Sequence, residues 1–166
     1  GVSSAASDVY KRQQLSNPVD NNPRCPETYS ALLDLATHVI DPVVDYFGMI
    51  RLTYGFCSSN LSRAISGRIY PSLDQHASHE VNRAGKYICD RLGAAVDFIV
   101  DDEDMREVAN WVIENIKFDR LYYYGDKRPI HISYGPEMKG ETVVMKESDS
   151  GKKVPKSLRK GQLVGQ

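Results

Sequence analysis

Leu32, Leu35, Ala36, Val39, Ile40, Val43 and Phe47 recur at helical spacing, three or four residues apart, and predict a helix whose apolar stripe faces a core. Pro26 and Glu27 suit its first turn, Pro42 is expected to kink or divide it, and Gly48 to end it. A short strand over residues 50–54 follows. Gly55-Phe-Cys-Ser-Ser59 then turns the chain, with Ser58 or Ser59 as the N-cap of a short helix through Ile65. Residues 67–89 show no clear period. Residues 90–100 read as a glycine turn running into a buried strand that carries one carboxylate, Asp97, among apolar neighbours. Asp101, Asp102, Glu103 and Asp104 sit where a helix begins, and suit the positive pole of its dipole without any metal. Met105, Val108, Ala109, Val112, Ile113 and Ile116 give that helix a buried face.

Three β-type runs follow, at residues 120–124, 129–134 and 141–146, separated by Gly125-Asp126 and Gly135-Pro136. Turn residues between such runs predict an antiparallel meander. The period of two puts Tyr123 on the opposite face from Tyr122 and Tyr124, a stripe that suits sheet packing or contact with a ligand. The expected fold class is α+β: a central antiparallel sheet with helices packed on one side.

Composition narrows the class. A chain of 166 residues with 41% hydrophobic and 26% charged positions is long enough for one domain with a real core. A net charge of -1 supplies no general attraction to nucleic acid or anionic membrane, and no apolar run reaches the length of a membrane span. Three cysteines without CxxC spacing, and an N-terminus lacking the charged-then-apolar pattern of a signal peptide, fit a cytoplasmic protein. Residues 1–22 read as an artefactual or flexible N-terminal segment, residues 23–147 as the folded domain and residues 148–166 as a basic C-terminal tail. Lys152, Lys153, Lys156, Arg159 and Lys160 make that tail a solvated segment, or a contact for nucleic acid or an acidic partner. Tails that are ordered would predict a homo-oligomer, each packed on a neighbouring chain.

The candidate chemistry lies in a few polar residues on apolar runs. Leaving Asp97 unpaired in a core strand would cost several kcal/mol. His131 repeats the pattern on the 129–134 strand. Together they form either half of a metal site or two core groups satisfied by hydrogen bonds. The densest potential ligand cluster is Asp74-Gln-His-Ala-Ser-His79-Glu80, where His76 and His79 would share a helix face. A solvated loop is the alternative there, and His38 reads as a packed or surface histidine.

In this order the elements resemble a known family. A helix ends in Ile-Asp-Pro-Val-Val-Asp-Tyr-Phe-Gly, and a strand leads to Tyr-Gly-Phe-Cys-Ser. A Gly-x-Ala-x-Asp strand, a helix, Phe-Asp-Arg-Leu-Tyr-Tyr and an Ile-His-Ile-Ser-Tyr strand complete the series. Over about residues 25–135 the chain resembles the zinc D-Ala-D-Ala carboxypeptidases and dipeptidases, which share the Hedgehog-type α+β fold. That resemblance implies zinc held by the His and Asp of a Ser-x-His-x-x-Gly-x-Ala-x-Asp motif and by a later His in a Trp-Val-His-x-Ser segment. Gly93, Ala95, Asp97, His131 and Ser133 match; Asp90 stands where the first histidine belongs. Either Asp90 serves as an oxygen ligand, or His76 replaces the histidine through a displaced Asp-Gln-His, with His79 behind it. Cys57 occupies the family's substrate-binding arginine position, and is either a thiol near the site or a buried small hydrophobe. Tyr124 occupies the position of the general-base glutamate, a loss typically worth about 10²- to 10⁴-fold in rate. Arg128 and Glu137 lie close enough in sequence to His131 to stand in for the missing groups. The implied activity is hydrolysis of an amide bond in a peptide or cell-wall-type substrate. The same departures also imply an alternative, an inactive peptidase-fold module that binds a peptide, glycan or protein.

Overall fold

The computed structural model describes residues 19–65 and 70–165. Helix α1, Pro26–Leu35, has Pro at its first positions and Glu27 in its first turn, and buries Thr28, Ala31, Leu32 and Leu35 at helical spacing. A π-turn, Ala36–Ile40, joins it to α2, Asp41–Phe47. The widened turn lies just ahead of Pro42, where the absent N–H and the ring would otherwise break an α-helical ladder. Gly48, at φ +83°, ends the run.

The N-cap of α1, Cys25, offers no side-chain cap. The chain entering the helix is instead anchored from far along the sequence by Glu80, buried and gathering Arg24 N–H at 2.7 Å, Cys25 N–H at 3.0 Å and Thr28 Oγ1–H at 2.7 Å. Hydrogen bonds to a charged acceptor contribute about 1.5–3 kcal/mol each and are not additive. Glu80→Ala is therefore expected to lower stability by about 3 kcal/mol, read from the urea midpoint at unchanged m-value. A loss under about 1 kcal/mol would mean water replaces the carboxylate.

Strand β1 is Arg51–Tyr54, and α3, Ser59–Ala64, is capped by Ser58, whose side chain accepts from Leu61 N–H. Two 3₁₀ turns, Pro71–Leu73 and Gln75–Ala77, lead to β2, Ala94–Ile99. Helix α4, Met105–Asn115, is capped by Asp104. Four strands follow: β3 Arg120–Tyr123, β4 Ile130–Tyr134, β5 Glu141–Glu147 and β6 Lys153–Ser157. They form one mixed sheet of six strands in the order β1-β2-β4-β3-β5-β6.

The sheet departs from the expected antiparallel meander at one place. β3 and β4 pair antiparallel, but β5 passes to the far side of β3 and pairs with it in parallel, Tyr122 opposite Val143. A turn signal fixes where a strand ends, not which neighbour the next strand finds.

The segment expected to be a basic tail contributes the sixth strand. β6 pairs antiparallel with β5, and beyond it Val164 is buried, its backbone bonded at both N–H and C=O to the Asn110 side chain. β6 is an edge strand with every residue exposed, so no apolar alternation marked it; Pro155, in register with Met145, is tolerated at an edge. At the other end residues 1–18 of the segment read as artefactual lie outside the described residues. Asn21 belongs to the fold: its buried amide donates to Phe56 O at 3.0 Å and accepts from Ser58 N–H at 2.7 Å.

Alternation divides the sheet's two faces. Ala94, Val96, Phe98, Leu121, Tyr123, Ile130 and Ile132 join Leu35, Val39, Val43, Met105, Val108 and Val112 in one core, so α1, α2 and α4 cover that face. Burial of each large apolar side chain is worth about 1.5–3 kcal/mol. The residues between them, among them Asp97, His131, Ser133 and Tyr122, project to the other face, which His76 and its neighbours on the 70–93 segment overlie. Among the described residues no helix is long and apolar enough to cross a membrane.

Candidate metal centre

On that second face a row of side chains crosses four strands. Tyr54 on β1 is in register with Asp97 on β2, Asp97 with His131 on β4, and His131 with Tyr122 on β3. Direct antiparallel opposition brings side chains within reach of each other, and His131 Nδ1 stands 2.9 Å from Asp97 Oδ1. Two residues 34 apart in sequence are thereby placed by the strand ladder alone.

The third member comes from the overlying segment. His76, on the Gln75–Ala77 turn, puts Nε2 3.1 Å from Asp97 Oδ1 and 3.1 Å from His131 Nδ1. Its Nδ1 donates to Gly55 O at 2.8 Å, and the Tyr54 ring packs on its imidazole at 4.1 Å. Each bond of the turn has its own anchor. Asp74 Oδ1 accepts from His76 N–H, and Cys57 N–H donates to His76 O at 2.9 Å. Gln75 Nε2 donates to Leu92 O and to the buried Asp119 carboxylate, both at 2.9 Å. Asp119 in turn is bound to Arg120 at 2.6 Å, and Arg120 to Glu137 at 2.8 Å.

The tautomer follows from these contacts. With the Nδ1 proton given to Gly55 O, neutral His76 presents a lone pair at Nε2. Asp97 presents lone pairs only, and His131 Nδ1 has one proton to offer. Three mutual contacts of 2.9–3.1 Å then share one hydrogen, an arrangement that calls for added positive charge. The electrostatics of the cluster point the same way. Burial pushes His76 toward neutrality, yet the Asp97 charge outweighs it and the imidazole pKa is raised. Burial likewise opposes ionisation of Asp97, but His76 and His131 hold its carboxyl well below the usual carboxylate range.

His76, Asp97 and His131 could accordingly hold a metal ion. Two imidazoles and one carboxylate are a donor set that zinc accepts, and a histidine whose second nitrogen donates to a backbone carbonyl is the usual outer support for such a ligand. Tetrahedral partners at bonds of about 2.0–2.1 Å lie about 3.3 Å apart, so the three atoms need to spread by only a few tenths of an ångström. Asp97 retains 27% side-chain exposure while both histidines are buried, which leaves the carboxylate side of the triangle open for a further ligand.

The other sequence candidates take other places. His79 is committed elsewhere: its Nε2 accepts Gly93 N–H at 3.1 Å, and its ring meets Tyr87. Asp90 is exposed in the turn before β2 and is not a member of the ligand group. The third position thus falls to His76. Cys57 is buried with its Sγ 3.7 Å from Ser58 O, and serves the His76 turn through its backbone. Arg128 is exposed in the β3–β4 turn. Glu137 pairs with Arg120 and Lys139. Tyr124 lies near the cluster; burial and the Asp97 charge push its phenol up to about 12. Lys153 of β6 stands over its ring, 5.5 Å from the centroid.

Sequence reading did not single out Tyr54, or the stack of Tyr122 on His131 at 5.0 Å and 18°. Parity along the strands carried the signal for both, once the pairing of β1 with β2 and of β3 with β4 was known. Comparison of the chain with protein-family models, with curated proteins and with solved structures finds no match.

Proposed function

We propose that this chain is a zinc-dependent amide hydrolase of the D-Ala-D-Ala carboxypeptidase and dipeptidase type, with an atypical set of groups around the metal. The observation that carries the reading is the convergence of His76 Nε2, Asp97 Oδ1 and His131 Nδ1, with the His76 tautomer fixed by Gly55 O. Zinc bound there would supply Lewis acidity and lower the pKa of a water. Around it Tyr54 and Tyr122 wall the histidines with aromatic rings. Tyr124, with its pKa pushed up to about 12, keeps its proton at neutral pH, so it can donate a hydrogen bond to a substrate carbonyl but cannot act as the base. The substrate class, a peptide of cell-wall type, follows from the resemblance over residues 25–135.

Metal analysis after chelation and reconstitution tests the reading. One zinc per chain is expected, together with hydrolysis of peptides ending in D-alanyl-D-alanine. His131→Ala should weaken zinc by more than the roughly 10- to 100-fold typical of outer-shell substitutions. A protein that takes up no zinc under any condition would end this reading.

A second reading is favoured by one specific observation. The sole carboxylate in the ligand group is Asp97, and Tyr124 retains its proton, so no base is supplied by either. A peptidase-fold module that binds a peptide, glycan or protein without cutting it would show the same zinc content and no turnover.

A further inference from the structure

Two cations touch the tyrosines beside the metal cluster, and the hydrolase reading leaves both unused. Arg91 Nη1 donates to Tyr122 OH at 3.1 Å and to Leu73 O at 3.2 Å. Tyr122 is the ring stacked on His131, so this guanidinium sits one phenol away from a metal-cluster histidine. Its backbone is fixed on the C-terminal side, where Leu92 O is held by Gln75 and Gly93 N–H by His79. Arg24, Arg51, Arg106 and Arg120 each have a carboxylate partner, whereas Arg91, like the arginines at 63, 83, 128 and 159, has no ion pair among the described residues. Nη1 alone of its nitrogens is engaged there, leaving Nε and Nη2 as donors in the planar fork that matches a carboxylate.

The second cation lies at the other end of the tyrosine stripe. Tyr122 is level with Asp97, and Tyr124 stands two residues further along the strand direction, under the ammonium of Lys153. Lys153 also has no ion pair among the described residues. Along the strands, then, the Arg91 backbone enters from the Ala94 end, and Lys153 stands over the tyrosine nearer the Ile99 end.

We propose that the cleft reads a peptide carrying a carboxylate on each side of the bond presented to the metal cluster, with Arg91 as the principal specificity-determining residue and Lys153 as the weaker one. This deepens the hydrolase reading and rests on it for the bond at the centre. Charge-assisted contacts of a preorganised arginine favour the anionic ligand, and the exposed lysine adds less because solvent screens it.

Binding of two short probes to the zinc-loaded protein and to the metal-free protein tests the proposal by calorimetry. One is succinyl-D-alanyl-D-alanine with a free C-terminus; the other is acetyl-D-alanyl-D-alanine amide. The doubly charged probe is expected to bind at least about 10-fold tighter. Arg91→Met should remove most of that preference, Arg91→Lys should restore part of it, and Lys153→Met should trim the remainder, all without changing the neutral probe's affinity or the zinc content. Equal affinity for the two probes, binding of neither, or a preference that survives Arg91→Met overturns it. A charge preference without turnover would support this inference and count against the hydrolase reading. Equal binding with hydrolysis of both probes would do the reverse.

Discussion

Gly93→Ala is expected to unfold the protein or to lower its stability by about 4 kcal/mol or more, a large share of the roughly 5–15 kcal/mol that holds a domain of this size. Two costs combine. Gly93 adopts φ +74°, in the left-handed region, where a Cβ costs roughly 1–2 kcal/mol. That Cβ would also be driven into the Tyr134 carbonyl oxygen and to 2.5 Å from Gly135 Cα, backbone atoms at and just beyond the end of the strand that carries His131. A flexible side chain could swing aside; a strand end held in the ladder cannot. Gly85 provides the control. Its φ is +75° but nothing lies within 4 Å of a Cβ built there, so Gly85→Ala should show the conformational cost alone, about 1–2 kcal/mol. Equal urea midpoints for the two variants would show that β2 and β4 can part at this point without penalty.

Asp119→Ala should cost about 3–5 kcal/mol and loosen the metal cluster together with the fold. Asp119 is fully buried and accepts from Arg120 Nη1 at 2.6 Å, Gln75 Nε2 at 2.9 Å and Lys139 N–H at 3.0 Å. Removing one member of a buried pair leaves the other charge without compensation, and that is the dominant loss. Arg120 keeps Glu137, which is 40% exposed and so a weaker substitute. Gln75 keeps Leu92 O but loses its bond to the carboxylate, and His76 is the next residue. Asp119→Asn, which keeps the shape and part of the bonding, should fall between the two. The measurement pairs a urea midpoint with the uptake of a divalent metal ion added to the protein. A variant that is destabilised by less than about 1 kcal/mol, and takes up the ion as the parent protein does, would show that the network does not position His76.

Much of the fold and two members of the candidate site were legible from local periodicity, while His76 was reached through the resemblance, as one of three candidates with His79 and Asp90. The α1 stripe, the Ser58 cap, the acidic start of α4 and the period-two placement of Tyr123 are each decided within a few residues. Asp97 and His131 stood out because a lone polar group in an apolar strand demands an explanation. What the residues could not announce was long-range pairing. β5 chose the far edge of β3 rather than β4, and β6 was hidden because an edge strand buries nothing. His76 lies on an irregular stretch whose geometry depends on Gly55, 21 positions from it, and on Asp119, 44 positions from the Gln75 amide that it holds. Arg91 carried no local mark at all; its interest lies in the phenol it touches and the carboxylate it lacks.

The split origin of the three ligand atoms has a thermodynamic consequence. Asp97 and His131 are already locked together by backbone pairing, whereas His76 belongs to the irregular covering that runs between β1 and β2. A cation gripping all three would cross-link that covering to the sheet, at about 4 kcal/mol for a site filled at a thousand times its dissociation constant. Nearly all of this linkage energy would fall on the covering and little on the sheet. Occupancy by the ion and closure of the cleft's roof would then be one equilibrium, read at two places.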